Sequence, residues 1–181
     1  LMVNGVRTCV YSAGSGKPLF YLHGAGIGDF SFMLKFADRY RVLIPHHPGF
    51  GESADDPEIS DIHDYVMHYL ELWDILGLDR ADVIGHSLGG WIAARFACEH
   101  SHRLEKLVLV APAGLRVEGC ATADLFMLTQ PELASRLVAN PDALPPLYQG
   151  EMTPEIRVQQ YRQQTTLARF AWVWPWDRKL P

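Results

Sequence analysis

One serine in this chain sits where its hydroxyl can become a nucleophile. Gly85-His86-Ser87-Leu88-Gly89 joins a short β-branched run, Val83-Ile84, to an apolar run of helical period in which Leu88, Ile92 and Phe96 share a face. Strand, sharp turn and helix in that order make a nucleophile elbow, which lifts the serine hydroxyl above the end of a sheet. Gly85 and Gly89 lack a Cβ and so relieve the crowding around a strained serine backbone. The helix N-terminus directs free N–H groups at the turn, and that of Leu88 can bind a developing oxyanion. The chemistry so prepared is attack of Ser87 on a carbonyl carbon. A plain glycine-rich turn would also fit these five residues, so the flanking segments have to decide.

A second glycine cluster, His23-Gly24-Ala25-Gly26-Ile27-Gly28-Asp29, follows the apolar run Pro18 to Leu22. A dinucleotide fingerprint would need a third glycine where Asp29 stands and an acid about 20 residues on, where His46 and His47 stand. The other functional reading is a loop whose backbone N–H supplies a second oxyanion donor opposite Leu88, with Ala25 the first candidate and Gly26 the next. A plain flexible loop remains the alternative. His46 and His47 invite a metal reading, but neighbours in an extended segment point to opposite sides. His63 and His68, five apart on a helix, lie about 140° off a common face. The sequence therefore calls for no metal and no cofactor.

The elements around these motifs alternate. Met2-Val3, Asn4-Gly5 and Val6 to Tyr11 read as a β-hairpin, because Asn-Gly is a strong two-residue turn. Pro18 to Leu22 and Arg41 to Pro45 read as buried strands, and residues 81–86 and Arg103 to Ala111 as further strands. Phe30 to Tyr40, a long segment capped by Ser60 and stopped at Gly77, and residues 88–100 read as helices. In the long helix Ile62, Val66, Tyr69, Leu70, Trp73 and Leu76 face the core. Strands alternating with helices mean α/β: a mostly parallel, doubly wound sheet with helices on both faces. From about Pro112 the alternation stops. Leu125 to Leu128, Glu132 to Val138 and Glu155 to Ala171 read as helices split by proline-rich turns, a helical insertion ending in Trp172-Val173-Trp174-Pro175-Trp176. The division expected is 1–111 for the core, with strands 1–6, and 112–181 for a helical cap.

The chain has 181 residues, 48% of them hydrophobic and 20% charged, which suits one globular unit rather than disorder. A net charge of −5 without a basic cluster excludes a nucleic-acid surface. Cys9, Cys98 and Cys120 are odd in number and form no ligand pattern, so a reducing, cytoplasmic compartment is expected. The first thirty residues lack a signal-peptide pattern, and no apolar run reaches the ~18 residues that span a bilayer. The expected partner is a small-molecule substrate, with neither nucleic acid nor membrane involved. The oligomeric state stays open.

Together the motifs resemble the α/β-hydrolase superfamily, in its capped serine-hydrolase branch. The matching pieces are Leu22-His23-Gly24, Pro48-Gly49-Phe50-Gly51-Glu52-Ser53, Gly85-His86-Ser87-Leu88-Gly89-Gly90 and Leu107-Val108-Leu109-Val110-Ala111. His46 departs from the pattern, since relatives commonly carry an aspartate there. The resemblance implies that Ser87 attacks an ester or an activated carbon–carbon bond of a small apolar substrate, with Leu88, Ala25 and Gly26 around the oxyanion. Serine rather than aspartate at the elbow argues against epoxide hydrolase or dehalogenase chemistry. His23, Gly24, His86, Phe126 and Trp172 are candidates for the pocket wall, the tryptophan-rich stripe being equally readable as ordinary core. The resemblance also implies an acid and a histidine after the cap and further strands to carry them. Neither is matched here, Leu1 is not an initiator, and the chain reads as cut at both ends. It is therefore expected to be an inactive fragment with the C-terminal strands missing and one sheet edge uncovered. A non-catalytic ligand-binding protein of the same fold is the alternative, and an interaction module using that edge a third.

Overall fold

The computed structural model describes residues 1–26, 28–120, 122–140, 153–173 and 175–180. Five strands form the main sheet: β3 (Val10–Ala13), β4 (Lys17–Leu22), β5 (Tyr40–Pro45), β6 (Ala81–His86) and β7 (Leu104–Val110). Their order is β3-β5-β4-β6-β7, with β3 antiparallel to β5 and every other pair parallel. β4 and β6 are neighbours at the centre, so the ends of Leu22 and His86 emerge side by side. That adjacency brings the two glycine motifs together from more than 60 residues apart.

Helices α1 (Ile62–Ile75) and α2 (Leu88–His100) pack against each other on one face of the sheet. The core there is Phe20, Leu22, Tyr65, Tyr69, Leu72, Trp73, Val83, Ile92 and Phe96, with Phe20 stacked on Trp73 at 3.8 Å. The other face buries Leu19, Tyr21, Val42 and Ile44 under Met33 of a short 3₁₀ helix, Ser31–Phe36. β7 is an edge of the sheet among the described residues, and its Val108, Leu109 and Val110 are exposed. Beyond it come α3 (Gln130–Leu137) and α4 (Pro154–Ala171). Among the described residues no helix is long and apolar enough to cross a membrane.

Several local expectations change. The Asn4-Gly5 hairpin exists, with both residues at positive φ, but it joins only β1 (Met2–Val3) to β2 (Val6–Arg7). Thr8 turns inward, where its hydroxyl donates to the Val6 carbonyl and meets His68, so Val10 to Ala13 departs to the main sheet. Phe30 to Tyr40 tightens into the 3₁₀ turn because Phe32, Leu34 and Phe36 stay exposed and bury no face that would sustain an α-helix. Leu125 to Leu128 forms no helix: the Asp124 carboxylate accepts the Phe126 N–H, making a turn, and Met127 is exposed. The turns at Pro141 and Pro145-Pro146 lie outside the described residues, as do Ile27 and Trp174.

The cap of α1 is Asp61, not Ser60. Asp61 is extended and its carboxylate accepts the Asp64 N–H, while the Asp64 carboxylate accepts the Asp61 N–H and both the N–H and hydroxyl of Ser60. Asp61 immediately precedes the helix and forms a reciprocal capping box with Asp64, while Ser60, one residue further out, adds its bonds from outside. Asp61→Ala is expected to cost about 1 kcal/mol, read from the urea midpoint.

Candidate active site

Ser87 takes φ 51° and ψ −114°, a conformation that L residues hold only when their surroundings enforce it. The enforcement comes from three sides. The Ser87 N–H donates to the Val110 carbonyl at 3.0 Å, and the Ser87 carbonyl accepts from Trp91 at 3.0 Å and Ala113 at 2.9 Å. Gly85 admits the turn because a Cβ there would stand 2.6 Å from the Gly89 carbonyl oxygen and 2.9 Å from the Ala93 Cβ. Leu88 is the first residue of α2, and its N–H has no carbonyl one turn earlier within the helix to bond.

The loop after β4 comes to the same place. A Cβ on Gly24 would lie 3.3 Å from the Ser87 Cβ and 3.2 Å from Nδ1 of His86, so only glycine leaves ordinary room between loop and nucleophile. Ala25 follows it, half-buried, and Gly26 is exposed. The elbow and the loop after β4 thus converge at Ser87. His86 is half-buried with its pKa lowered by desolvation, and no hydrogen bond joins it to Ser87 among the described residues.

Beneath the loop lies a cluster of neutral histidines. His23 is fully buried, with its Nδ1 on the Gly24 carbonyl at 2.6 Å and its Nε2 accepting the His47 N–H at 3.1 Å. Both ring nitrogens are engaged by the protein, so His23 holds the loop instead of offering a polar atom to a pocket. Burial pushes His23 well below the usual histidine range and His47 down to about 3, with His46 lowered in the same way. Rings held neutral in the fold but free to protonate when unfolded make stability fall with acid. Their stabilisation is complete above the unfolded value near 6.5 and is lost as pH falls from there towards about 3. Urea midpoints measured between pH 7.5 and 4.5 should decline accordingly.

His46 points away from His47, as neighbours in an extended segment must. Its ring gathers with Cys9 and the Glu52 carboxylate, with ligand atoms within 4.8 Å of one another. The His46 Nδ1 already accepts the Glu52 N–H at 3.0 Å, which leaves the hydrogen on Nε2 and no lone pair for an ion. The trio has the composition of a metal site without the donor set.

Phe126 and Trp172 do meet, ring centroids 5.0 Å apart, but Trp172 is 63% exposed. Helix α4 lies across the turn that follows β5: Arg162 donates to the Gly51 and Ser53 carbonyls and to Asp55, and Thr166 fills the space over Gly49. Phe170 packs edge-on against Tyr65 and Trp91. The helical segment therefore covers the loops at the Ser87 end of the sheet.

A sequence model of the alpha/beta hydrolase fold matches residues 17–172. The chain belongs to the alpha/beta hydrolase fold family. It is 35% identical over 124 residues to the 2-hydroxymuconate semialdehyde hydrolase of Pseudomonas sp. (strain CF600), a match covering 64% of this chain and 43% of that protein. It is 30% identical over 125 residues to a 2-hydroxy-6-oxo-2,4-heptadienoate hydrolase of Pseudomonas putida, covering 65% and 45%. The chain thus spans less than half the length of these curated relatives. Among solved structures, the epoxide hydrolase CorEH matches with a TM-score of 0.62 and 31% identity, over 68% of this chain and 45% of that one. The meta-cleavage product hydrolase CumD of Pseudomonas fluorescens IP01 matches with a TM-score of 0.67, over 91% and 69%, and at 21% identity it shows the shared fold.

In this family member one structural acid escapes sequence reasoning. Asp177 lies beyond α4, where its N–H donates to the Gly114 carbonyl and Trp176 bridges to Gly114. Its carboxylate accepts two hydrogen bonds from Arg95 at 2.9 Å and one from the Trp91 indole at 3.3 Å. Both side chains are buried, 7% and 6% exposed. The pair ties the end of the helical segment to α2, one and two turns from Ser87. Asp177→Ala removes the bonds from Arg95 and Trp91 but leaves Arg95 its ion pair with Glu99, so a cost of about 1–2 kcal/mol is expected by urea unfolding. The signal in the sequence is faint: an arginine in the apolar stretch Trp91 to Cys98 of α2.

Proposed function

We propose that this chain carries the nucleophile and oxyanion hole of a serine hydrolase acting on a small, largely apolar substrate, at an activated carbon–carbon bond or a carboxylic ester. The observation that carries the reading is Ser87 at φ 51°, clamped by Val110, Trp91 and Ala113 and facing Gly24 across 3.3 Å from its Cβ to a notional Cβ. In the reaction Ser87 Oγ bonds to the carbonyl carbon and loses its proton to a base. The Leu88 and Ala25 N–H groups hold the oxyanion, with Gly26 the alternative donor. Collapse breaks the bond to the leaving group, which takes a proton as it departs. Water then attacks the acyl-enzyme, releasing a carboxylic acid and restoring the serine. No cofactor is needed for these steps.

Two relatives at 35% and 30% identity are named as hydrolases of 2-hydroxymuconate semialdehyde and 2-hydroxy-6-oxo-2,4-heptadienoate, which supports an oxo-dienoic acid as the substrate class. The likeness to an epoxide hydrolase carries less weight. Serine opening an epoxide would form an ether, which has no carbonyl for water to attack, whereas an acyl-serine does. The base is the unassigned part. His23, His47 and His46 are engaged by Gly24, Tyr69 and Glu52, and no hydrogen bond joins His86 to Ser87 among the described residues, so the chain alone is expected to show no appreciable turnover.

That same observation favours a second reading, a ligand-binding protein that keeps the pocket without the reaction. The two are separated by offering the protein, expressed from its complete natural coding sequence, a 2-hydroxy-6-oxo-dienoic acid and a p-nitrophenyl ester. Loss of the dienoate absorbance with release of two fragments supports the hydrolase. Saturable binding without turnover supports the second reading.

A further inference from the structure

We propose that His47, oriented by Tyr69, is a positioning residue that aims the Ala25 N–H at the site. The inference rests on the reading of Ala25 as an oxyanion donor. It starts from peptide geometry: the Gly24 carbonyl and the Ala25 N–H belong to one trans peptide and point in opposite directions. Whatever fixes the Gly24 carbonyl therefore fixes the Ala25 N–H. What fixes it is Nδ1–H of His23, at 2.6 Å.

His23 is in turn set by His47 through two contacts. The His47 backbone N–H donates to Nε2 of His23 at 3.1 Å, which forces the Nδ1–H tautomer. The His47 ring donates from Nε2 to the His23 carbonyl at 2.8 Å, and that carbonyl also accepts the Gly89 N–H at 2.9 Å. One oxygen thus joins the oxyanion loop, the helix after the nucleophile and His47. His47 can donate from Nε2 only while its Nδ1 is an acceptor, and Nδ1 takes the hydroxyl hydrogen of Tyr69 from α1. Every hydrogen in the relay from Tyr69 to Gly24 is determined while both rings are neutral, and a proton added to His23 would set its Nε2–H against the His47 N–H.

The groups facing these rings are His46 beside His47, Tyr65, His68 and Tyr69 from α1, and His86 from the elbow beside His23. The His23 and His47 rings lie 3.9 Å apart, both fully buried. Burial disfavours charge on each, so the relay holds its hydrogens through mild acid.

The test uses the ¹⁵N-labelled chain, reading imidazole and amide signals at pH 7.5 and 5.5. Expected are Nδ1–H for His23 and Nε2–H for His47, unchanged between the two pH values. His47→Leu keeps the backbone N–H that sets the His23 tautomer but loses the ring's donation to the His23 carbonyl, and should shift the Ala25 and Gly26 amide signals. His47→Gln, whose amide can still donate to the His23 carbonyl, should return the Ala25 signal towards wild type, a rescue that general loosening would not give. Should His47→Leu not fold, Tyr69→Phe removes only the hydroxyl and should still shift Ala25 and mix the His47 tautomers. Unchanged Ala25 and Gly26 amides in a folded His47→Leu or in Tyr69→Phe, or the opposite tautomers in wild type, would overturn the proposal. A protein without turnover would end the hydrolase reading and leave these spectra as they are, so the two can fail separately.

Discussion

Turnover of the protein from its complete natural coding sequence is expected to drop about 10⁶-fold when Ser87 becomes alanine, equivalent to about 8 kcal/mol of transition-state stabilisation. Oγ forms the bond of the reaction, so its loss removes an interaction absent from the bound ground state. KM should therefore change little while kcat collapses. A residual rate of ~10³–10⁴ over water is expected from oriented binding and the Leu88 and Ala25 N–H groups. The fold should survive, because the clamps on this residue are the backbone bonds to Val110, Trp91 and Ala113, which alanine retains. Steady-state kinetics with a circular dichroism melt checks both halves.

Gly89→Ala is expected to have the largest effect on folding. A Cβ there would stand 2.0 Å from the Leu22 carbonyl oxygen, 2.3 Å from its carbon and 2.6 Å from the His23 carbonyl oxygen. All three are backbone atoms at the end of the central strand β4, and none can swing away as a side-chain tip could. Relief would require α2 to lift off the sheet, breaking the Gly89 N–H to His23 bond and the packing of Leu88 and Ile92 together. The cost should exceed about 4 kcal/mol, enough to leave much of the protein insoluble. Gly119→Ala is the contrast: nothing lies within 4 Å, and only its φ of +79° is strained, so about 1 kcal/mol is expected. Soluble yield and urea melts of the two variants test the difference.

Much of this architecture is legible in the sequence, for identifiable reasons. Val83-Ile84 into Gly85-His86-Ser87-Leu88-Gly89 reads correctly because strand, turn and helix chemistry all agree within fourteen residues. The bounds of β6 and α2, residues 81–86 and 88–100, follow directly. Where local signals are outvoted by distant partners, reading fails. Val6 to Tyr11 looks like one strand, and only the contact of Thr8 with His68, sixty residues away, divides it. Phe30 to Tyr40 has helical spacing, but it buries Met33 while leaving Phe32, Leu34 and Phe36 exposed. Tyr65, His68 and Leu72 are buried in α1 beside the residues that periodicity selects, because α2 and β1 wrap a wider face than one stripe.

The site shows the same division. Ser87, Gly24, Ala25 and Leu88 come together because β4 and β6 pair, which the parallel-sheet pattern allows one to anticipate. His47 is visible in the sequence only as half of a histidine pair, and a metal reading draws attention from its better clue: it ends a buried strand, where a polar side chain must find partners inside. Asp177 and Arg95 lie 82 residues apart, and no periodicity links them.

The central claim is that Ser87 becomes covalently acylated. It is tested most directly by digesting the protein, expressed from its complete natural coding sequence, after reaction with an alkyl phosphonofluoridate, and locating the added mass by tandem mass spectrometry. One phosphonyl group is expected, on Ser87, prevented by prior addition of an oxo-dienoic acid and absent in Ser87→Ala. A folded protein that stays unmodified at Ser87, or that carries the label on another residue while still turning over substrate, would contradict it.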